Sequence, residues 1–268
     1  LVAISVVVIG FFSFVILNAQ VEIPVYYLTN YSAKSLSIVV LLFSALVGYD
    51  IVAWFFYIIT SSKSFSTSNS LTNFLVISSL YLASLLIFFL HQINYISWNL
   101  TLFNPFVLLV ISTIVGFWGQ HKRRELFLDL LNYRKGGVWI YMGMAIIAIS
   151  SVAYAFQTSN TAMIASFEEG IVYTHLTMGG AFLIYVMKNF RVPVLQGVPV
   201  WSKLYFPSRL THRFTRFIGL ATIVLLIIVG QNVPIKVWKA GITNYKADVY
   251  QQEGAYLLAE QNLSLIHI

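Results

Sequence analysis

Four ionisable side chains fall inside long apolar stretches of this chain: Asp50, Glu168, Glu169 and His175. His91 lies near the end of a further stretch. A charge in hydrocarbon is costly, so ionisable residues there mark function by default. Carboxylates together with an imidazole that titrates near neutrality are the parts of a proton or ion relay. At about 1.5 Å of rise per residue from the outer surface, Asp50 is roughly 21 Å deep and His175 roughly 18 Å deep, close to one level near mid-membrane. Glu168 is roughly 7–8 Å deep, and its seven-residue offset from His175 puts both on one helix face. A polar track can run His91, Glu168, His175, Asp50, with Tyr49, Tyr154, Tyr173, Thr174 and Thr177 beside it.

Three readings of these residues compete. The first is a proton- or ion-coupled path. The second is b-type haem ligation by His91 and His175, against which their depths argue, differing by more than two helical turns. The third is structural: Asp50 and His175 satisfy each other inside the bundle, since buried charges must be paired in any protein, and Glu168 and Glu169 sit at a wet helix entrance. Gly179, Gly180 and Ala181 suit close helix packing. The sequence has no HExxH, no GxSxG, no phosphate-binding loop and no paired-His zinc spacing. It has no Cys, which excludes disulfides, thiolate metal sites and a Cys nucleophile. No cofactor is expected. The last span lacks a central Lys, which argues against a retinal-binding seven-helix protein. Glu22, in the first outer loop, stands where membrane transferases of the lipid-sugar type keep a catalytic acid, and offers a further, enzymatic alternative.

The elements that hold these residues follow from composition. Charged residues make up 9% of the 268, against roughly 25% in a soluble domain. Hydrophobic residues make up 59%, and the mean hydropathy is +0.81. A soluble globule of this size could not hide so much apolar surface, which excludes a soluble enzyme, a DNA-binding module and a disordered scaffold. A spanning helix needs about 20 apolar residues, and seven candidates are evident: 1–18, 36–60, 73–92, 101–119, 137–157, 163–187 and 214–233. Asn104-Pro105 falls near a helix entrance, where proline is tolerated. The predicted fold is an all-α integral membrane protein, with about seven transmembrane helices over residues 1–233.

Net charge is +7, which fits basic loops facing anionic lipid and does not imply nucleic-acid binding. If seven spans alternate, segments 61–72, 119–136 and 188–216 share one side and hold 12 basic residues. The other side holds only Lys34, Lys236, Lys239 and Lys246. The positive-inside rule then places the N-terminus in the cytoplasm and the C-terminus outside, in a bacterial inner membrane. Leu126, Phe127, Leu130 and Leu131 form an apolar stripe within residues 121–134, so a short interfacial helix is expected there. Pro193, Pro199 and Pro207 are expected to break the helix after span six, with Trp201, Tyr205 and Phe206 in the headgroup layer.

Residues 234–262 are more polar. Tyr250, Gly254, Tyr256 and Ala259, with Ala247 three positions ahead of Tyr250, follow the order Tyr-x-x-x-Gly-x-Tyr-x-x-Ala. This resembles the helix–turn–helix core of a tetratricopeptide repeat. The resemblance covers about half of one repeat, and Thr243 stands where the family has a large residue. It implies that Ala247 and Ala259 let two helices approach, that Gly254 takes the turn, and that Tyr250 and Tyr256 fill the groove between them. Stable arrays need at least about three repeats, so the segment would open an outward-facing array that binds a protein partner. An ordinary amphipathic helix is the plainer alternative. Residues 263–268 read as the in-frame translation of a widely used transposase sequencing adapter, and Leu1 is not a start Met. A fragment of environmental DNA, cut at both ends, is the expectation. The expected function is a multi-pass membrane protein anchoring an extracytoplasmic repeat domain, with the lipid bilayer and a protein as partners. The alternatives are an ion-coupled transporter subunit using Asp50, Glu168 and His175, or a transferase using Glu22.

Overall fold

The structure, a computed structural model, describes residues 22–61, 67–98, 103–123, 133–196, 209–230 and 233–264, together with 10, 13–14, 16–20, 200 and 204. The regular elements among the described residues are helices: α1 (Pro24–Val47), α2 (Asp50–Ser61), α3 (Thr67–Gln92), α4 (Pro105–Arg123), α5 (Tyr133–Gln157), α6 (Thr161–Leu195), α7 (His212–Val229), α8 (Val233–Gln252) and α9 (Tyr256–Ser264). Five apolar stretches among the described residues are long enough to cross a membrane: Pro24–Thr60, Asn69–Gln92, Gly137–Gln157, Thr161–Leu195 and His212–Val229. A shorter apolar helix covers Pro105–Gly119. Most of the expected first span, 1–18, lies outside the described residues. So do 124–132 of the expected interfacial helix, the loop residues Pro199, Trp201, Tyr205, Phe206 and Pro207, and residues 265–268.

Local chemistry accounts for where the helices begin. Pro24 opens α1, where its missing N–H is no loss and its fixed φ suits the first turn. Asn104 Oδ1 accepts from the N–H groups of Phe106 and Val107 at 2.9 and 3.3 Å, with Pro105 as the first helical residue. Asn160 caps α6 by accepting from Met163 N at 3.1 Å, and Thr211 caps α7 through Phe214 N at 3.3 Å.

Several boundaries differ from the sequence reading: the apolar part of the expected span 101–119 is the shorter Pro105–Gly119, and the expected span 214–233 ends at Val229. The second expected span begins at residue 36, whereas α1 starts at Pro24, and the chain turns at Gly48–Tyr49 before α2. Pro193 does not end its helix, because α6 continues to Leu195. A proline this close to a C-terminus costs little more than one backbone bond, that to residue 189. Asn189 is meanwhile engaged through its side chain, which holds the backbone of Arg209 and Leu210.

Helix α6 is the axis of the bundle. It packs against α1, α2, α3, α4, α5, α7 and α8. Its central residues, among them Ile171, Val172, Thr174 and His175, are buried. Close approach to it depends on glycine. A Cβ on Gly48 would stand 2.8 Å from the Thr174 carbonyl oxygen, and one on Gly241 of α8 would stand 2.9 Å from the Met163 backbone. Beyond α8, the chain reverses at Gly254, whose φ of +73° is a left-handed conformation natural to glycine. Helices α8 and α9 then pack together, with Ala247 and Ala259 buried.

Candidate functional site

The turn at Gly48–Tyr49 sends two adjacent side chains in different directions. Asp50, the first residue of α2, is 3% exposed. A carboxylate there is favoured by the N-terminal end of the helix dipole. Its Oδ2 lies over Gly116 of α4, where a Cβ would stand 2.7 Å from it and 2.5 Å from the Tyr141 hydroxyl of α5. Gly116 thus leaves the room in which both oxygens sit. Tyr141 Oη donates to the Thr113 carbonyl at 2.7 Å, which ties α5 to α4 beside the carboxylate.

Tyr49 turns towards α6 and α7. Its ring stacks on Phe182 at 5.5 Å, and its hydroxyl accepts from Arg216 Nη2 at 2.5 Å. His212 completes this group, with its ring edge-on to Tyr49 at 5.4 Å and to Tyr185 at 5.5 Å. The Tyr185 hydroxyl donates in turn to the Leu204 carbonyl. By sequence Arg216 counts as one loop charge among many, and His212 belongs to no motif. The signal that could find them is their spacing: residues four apart share a helix face, and an arginine in the first turns of a span must reach a polar partner.

His175 is fully buried on α6. Its Nδ1–H donates to the Ile171 carbonyl at 2.7 Å, since a carbonyl only accepts, and Nε2 meets no partner among the described residues. The neighbouring Thr174 is joined to α1 by a 2.6 Å bond between its hydroxyl and that of Ser44. Because Gly48 touches Thr174, Asp50 and His175 belong to one layer of the bundle, but the expected pairing between them is not formed, since the His175 Nδ1–H goes to its own helix and Nε2 meets no partner among the described residues. Glu168 is half-buried, whereas Glu169 is 5% exposed and its Oε2 has no partner among the described residues. The deeper carboxylate is therefore Glu169, not the residue seven positions from His175. His91 is half-buried in the last turn of α3, where its Nδ1 meets the Ile96 carbonyl at 3.3 Å and closes the helix end. Glu22 is exposed, two residues ahead of α1.

A second polar group fastens α8 to the bundle. Asn160 is buried at the α5–α6 turn, donates to the Gly241 carbonyl at 2.8 Å and accepts from Asn244 at 3.2 Å. Trp238 Nε1 donates to Ser37 Oγ at 2.7 Å. Tyr154 donates to Asn30 Oδ1 at 2.8 Å while its ring lies 5.6 Å from that of Tyr245. Burial pushes the Tyr245 hydroxyl up to about 12, against a lowering hydrogen bond with Thr158 and with a smaller contribution from the Asp248 charge. Burial likewise raises the Asp248 carboxyl above the usual range. No group of three or more His, Cys, Asp or Glu side chains that could hold a metal occurs among the described residues. The chain matches no family model, no curated protein and no solved structure.

Proposed function

We propose that this chain is the membrane domain of a seven-span bacterial inner-membrane protein, N-terminus in and C-terminus out, that roots the first helices of an extracytoplasmic repeat array for binding a protein partner. The observation that carries the reading is the reversal at Gly254, with Ala247 and Ala259 buried on the two helices it joins. The anchoring of α8 through Asn160 and Trp238 supports it, because a lever that holds a partner must be fixed to its base. Tyr256 departs from the expected groove filling: it is 69% exposed, and Leu257 is 82% exposed. In a stacked array the next repeat covers such a face. The test is the native gene beyond Asn262: at least two further repeats of about 34 residues are expected, and their absence overturns the reading. Orientation is tested by impermeant maleimide on intact cells. Gln251→Cys should react and Arg209→Cys should react only after permeabilisation; the reverse pattern overturns it.

A proton- or ion-coupled path is the second reading. It is favoured by Asp50 and His175 sharing one buried layer at a helix discontinuity, with Glu168 and Glu169 further along α6 and His91 at the end of α3. In vesicles holding a pH-sensitive dye, Asp50→Asn should abolish flux driven by an imposed gradient. Flux equal to that of empty vesicles in the unaltered protein sinks this reading.

A further inference from the structure

A cleft of about 460 Å³ opens between α1, α6, α7 and α8. Its walls are almost wholly apolar, with Ile38 and Leu42 from α1, Gly170 from α6, Val224 from α7 and Trp238 from α8. Ligand pockets of this order hold a small molecule or a chain segment. Three of its four walls belong to stretches long enough to span a membrane, so its surroundings are acyl chains rather than water.

The end of the cleft towards α8 is chemically different. Trp238 stands there with its indole N–H on Ser37, the arrangement of an aromatic ring at a membrane–water boundary. Lys34 continues the α1 stripe of Ile38, Leu41 and Leu42 one turn further along, on the same helix face. Lys239 directly follows Trp238. Both lysines are exposed. An apolar slot with two cations beside the end that holds the boundary tryptophan is complementary to a molecule with a long hydrocarbon chain and an anionic head.

The geometry points to a binding site for one anionic phospholipid, with an acyl chain in the cleft between α1, α6, α7 and α8 and its headgroup phosphate against Lys34 and Lys239. The lipid fills the space between α1 and α7, which face each other across the cleft with little direct packing. It is a structural ligand of the bundle, independent of whether α9 opens a repeat array or Asp50 carries ions.

The test uses the whole chain in vesicles of equal parts phosphatidylglycerol and phosphatidylcholine, in parallel samples with a diazirine on one acyl chain of either lipid. A lysine beside an anionic headgroup favours it by about fivefold. The expected result is labelling of peptides around Ile38 and Val224 at least that much stronger from phosphatidylglycerol. The double variant Lys34→Gln/Lys239→Gln should bring the two lipids level. Val224→Trp, which fills the cleft from its lip, should remove labelling by both, while Leu225→Trp on the adjacent exposed position should not. Where Val224→Trp does not fold, Ile38→Trp on the opposite wall, 45% exposed, carries the same prediction. Equal labelling in the unaltered protein, or selectivity that survives the double variant, overturns the proposal. So does loss of labelling that is no greater in the cleft-filling variant than in Leu225→Trp. Labelling by neither lipid, with the protein dimeric, would give the cleft to a second copy of the chain and also overturn it.

Discussion

The layer around Gly48 and the attachment of α8 both hold helices of the bundle together through polar contacts, yet they are built differently. In the first, backbone meets backbone through glycine, and beside the cross-helix bonds of Thr174 with Ser44 and Tyr141 with Thr113 other polar side chains turn to their own helix: Thr177 donates to Tyr173, His175 to Ile171 and Ser112 to Leu109. In the second, long-range bonds do the joining, linking Asn160 to Gly241 and Asn244 and Trp238 to Ser37 of α1. The difference reflects the solvent each faces. Hydrocarbon gives no hydrophobic driving force between apolar helices, so close packing of small residues holds them, and local bonds give side-chain donors an acceptor on their own helix. Nearer water, an apolar face does not fix register alone, and a few directed bonds select one docking position for α8.

That contrast can be broken first at its tightest point. Gly48→Ala drives a Cβ into the Thr174 carbonyl, where neither backbone can yield cheaply. A loss of about 2–3 kcal/mol is expected, within the range for overpacked cores, read as a lowered thermal midpoint in detergent. A change below the measurement error would show that α1 and α6 are not held by that contact. Asn160→Ala should come next. It removes a helix cap and the bonds to Gly241 and Asn244, for about 2 kcal/mol. Its mark should be regional: amide exchange in α8 rises by more than in α3, whereas uniform loss across the bundle would contradict separate construction of the two regions.

Tyr49→Phe should cost less, about 1–1.5 kcal/mol, because it deletes the hydroxyl that Arg216 donates to but keeps the stacking on Phe182. The same method in the double variant with Arg216→Gln tests the pairing, since additivity of the two losses would mean that they do not interact. The smallest effect concerns pH. The Asp248 carboxyl is raised in the folded state, so the folded chain holds a proton that the unfolded chain has already lost just above pH 3.8. By linkage, docking of α8 is destabilised as pH rises through that window and regained as pH falls. Slower α8 amide exchange, after correction for intrinsic rates, is expected on acidifying from neutrality down into that window. Asp248→Asn should flatten the dependence, and an unchanged dependence would place its origin elsewhere.

Sequence patterns make several of these features legible. Length and continuity mark the apolar helices, Asn104-Pro105 marks a helix entrance, and the Tyr–Gly–Tyr–Ala spacing marks a turn at Gly254. Other features are hidden because their signals are not local. Glu168 and Glu169 are adjacent, and spacing from His175 favours the former, while the bundle buries the latter more deeply. Pro193 reads as a breaker, yet the turn after it is still helical. Arg216 counts as a loop charge until Tyr49, 167 residues away, supplies its acceptor.

Composition alone determined that the chain is built of apolar helices suited to lipid, because an apolar run of spanning length has few other ways to satisfy its backbone. Tertiary structure alone decided which face of each helix is covered, where α8 docks, and that Asp50 sits over Gly116 while His175 turns to the Ile171 carbonyl. The physical reason is the solvent. A soluble helix shows its buried face by contrast with a polar one, whereas a helix in hydrocarbon is apolar all round, and only its neighbours distinguish inside from outside.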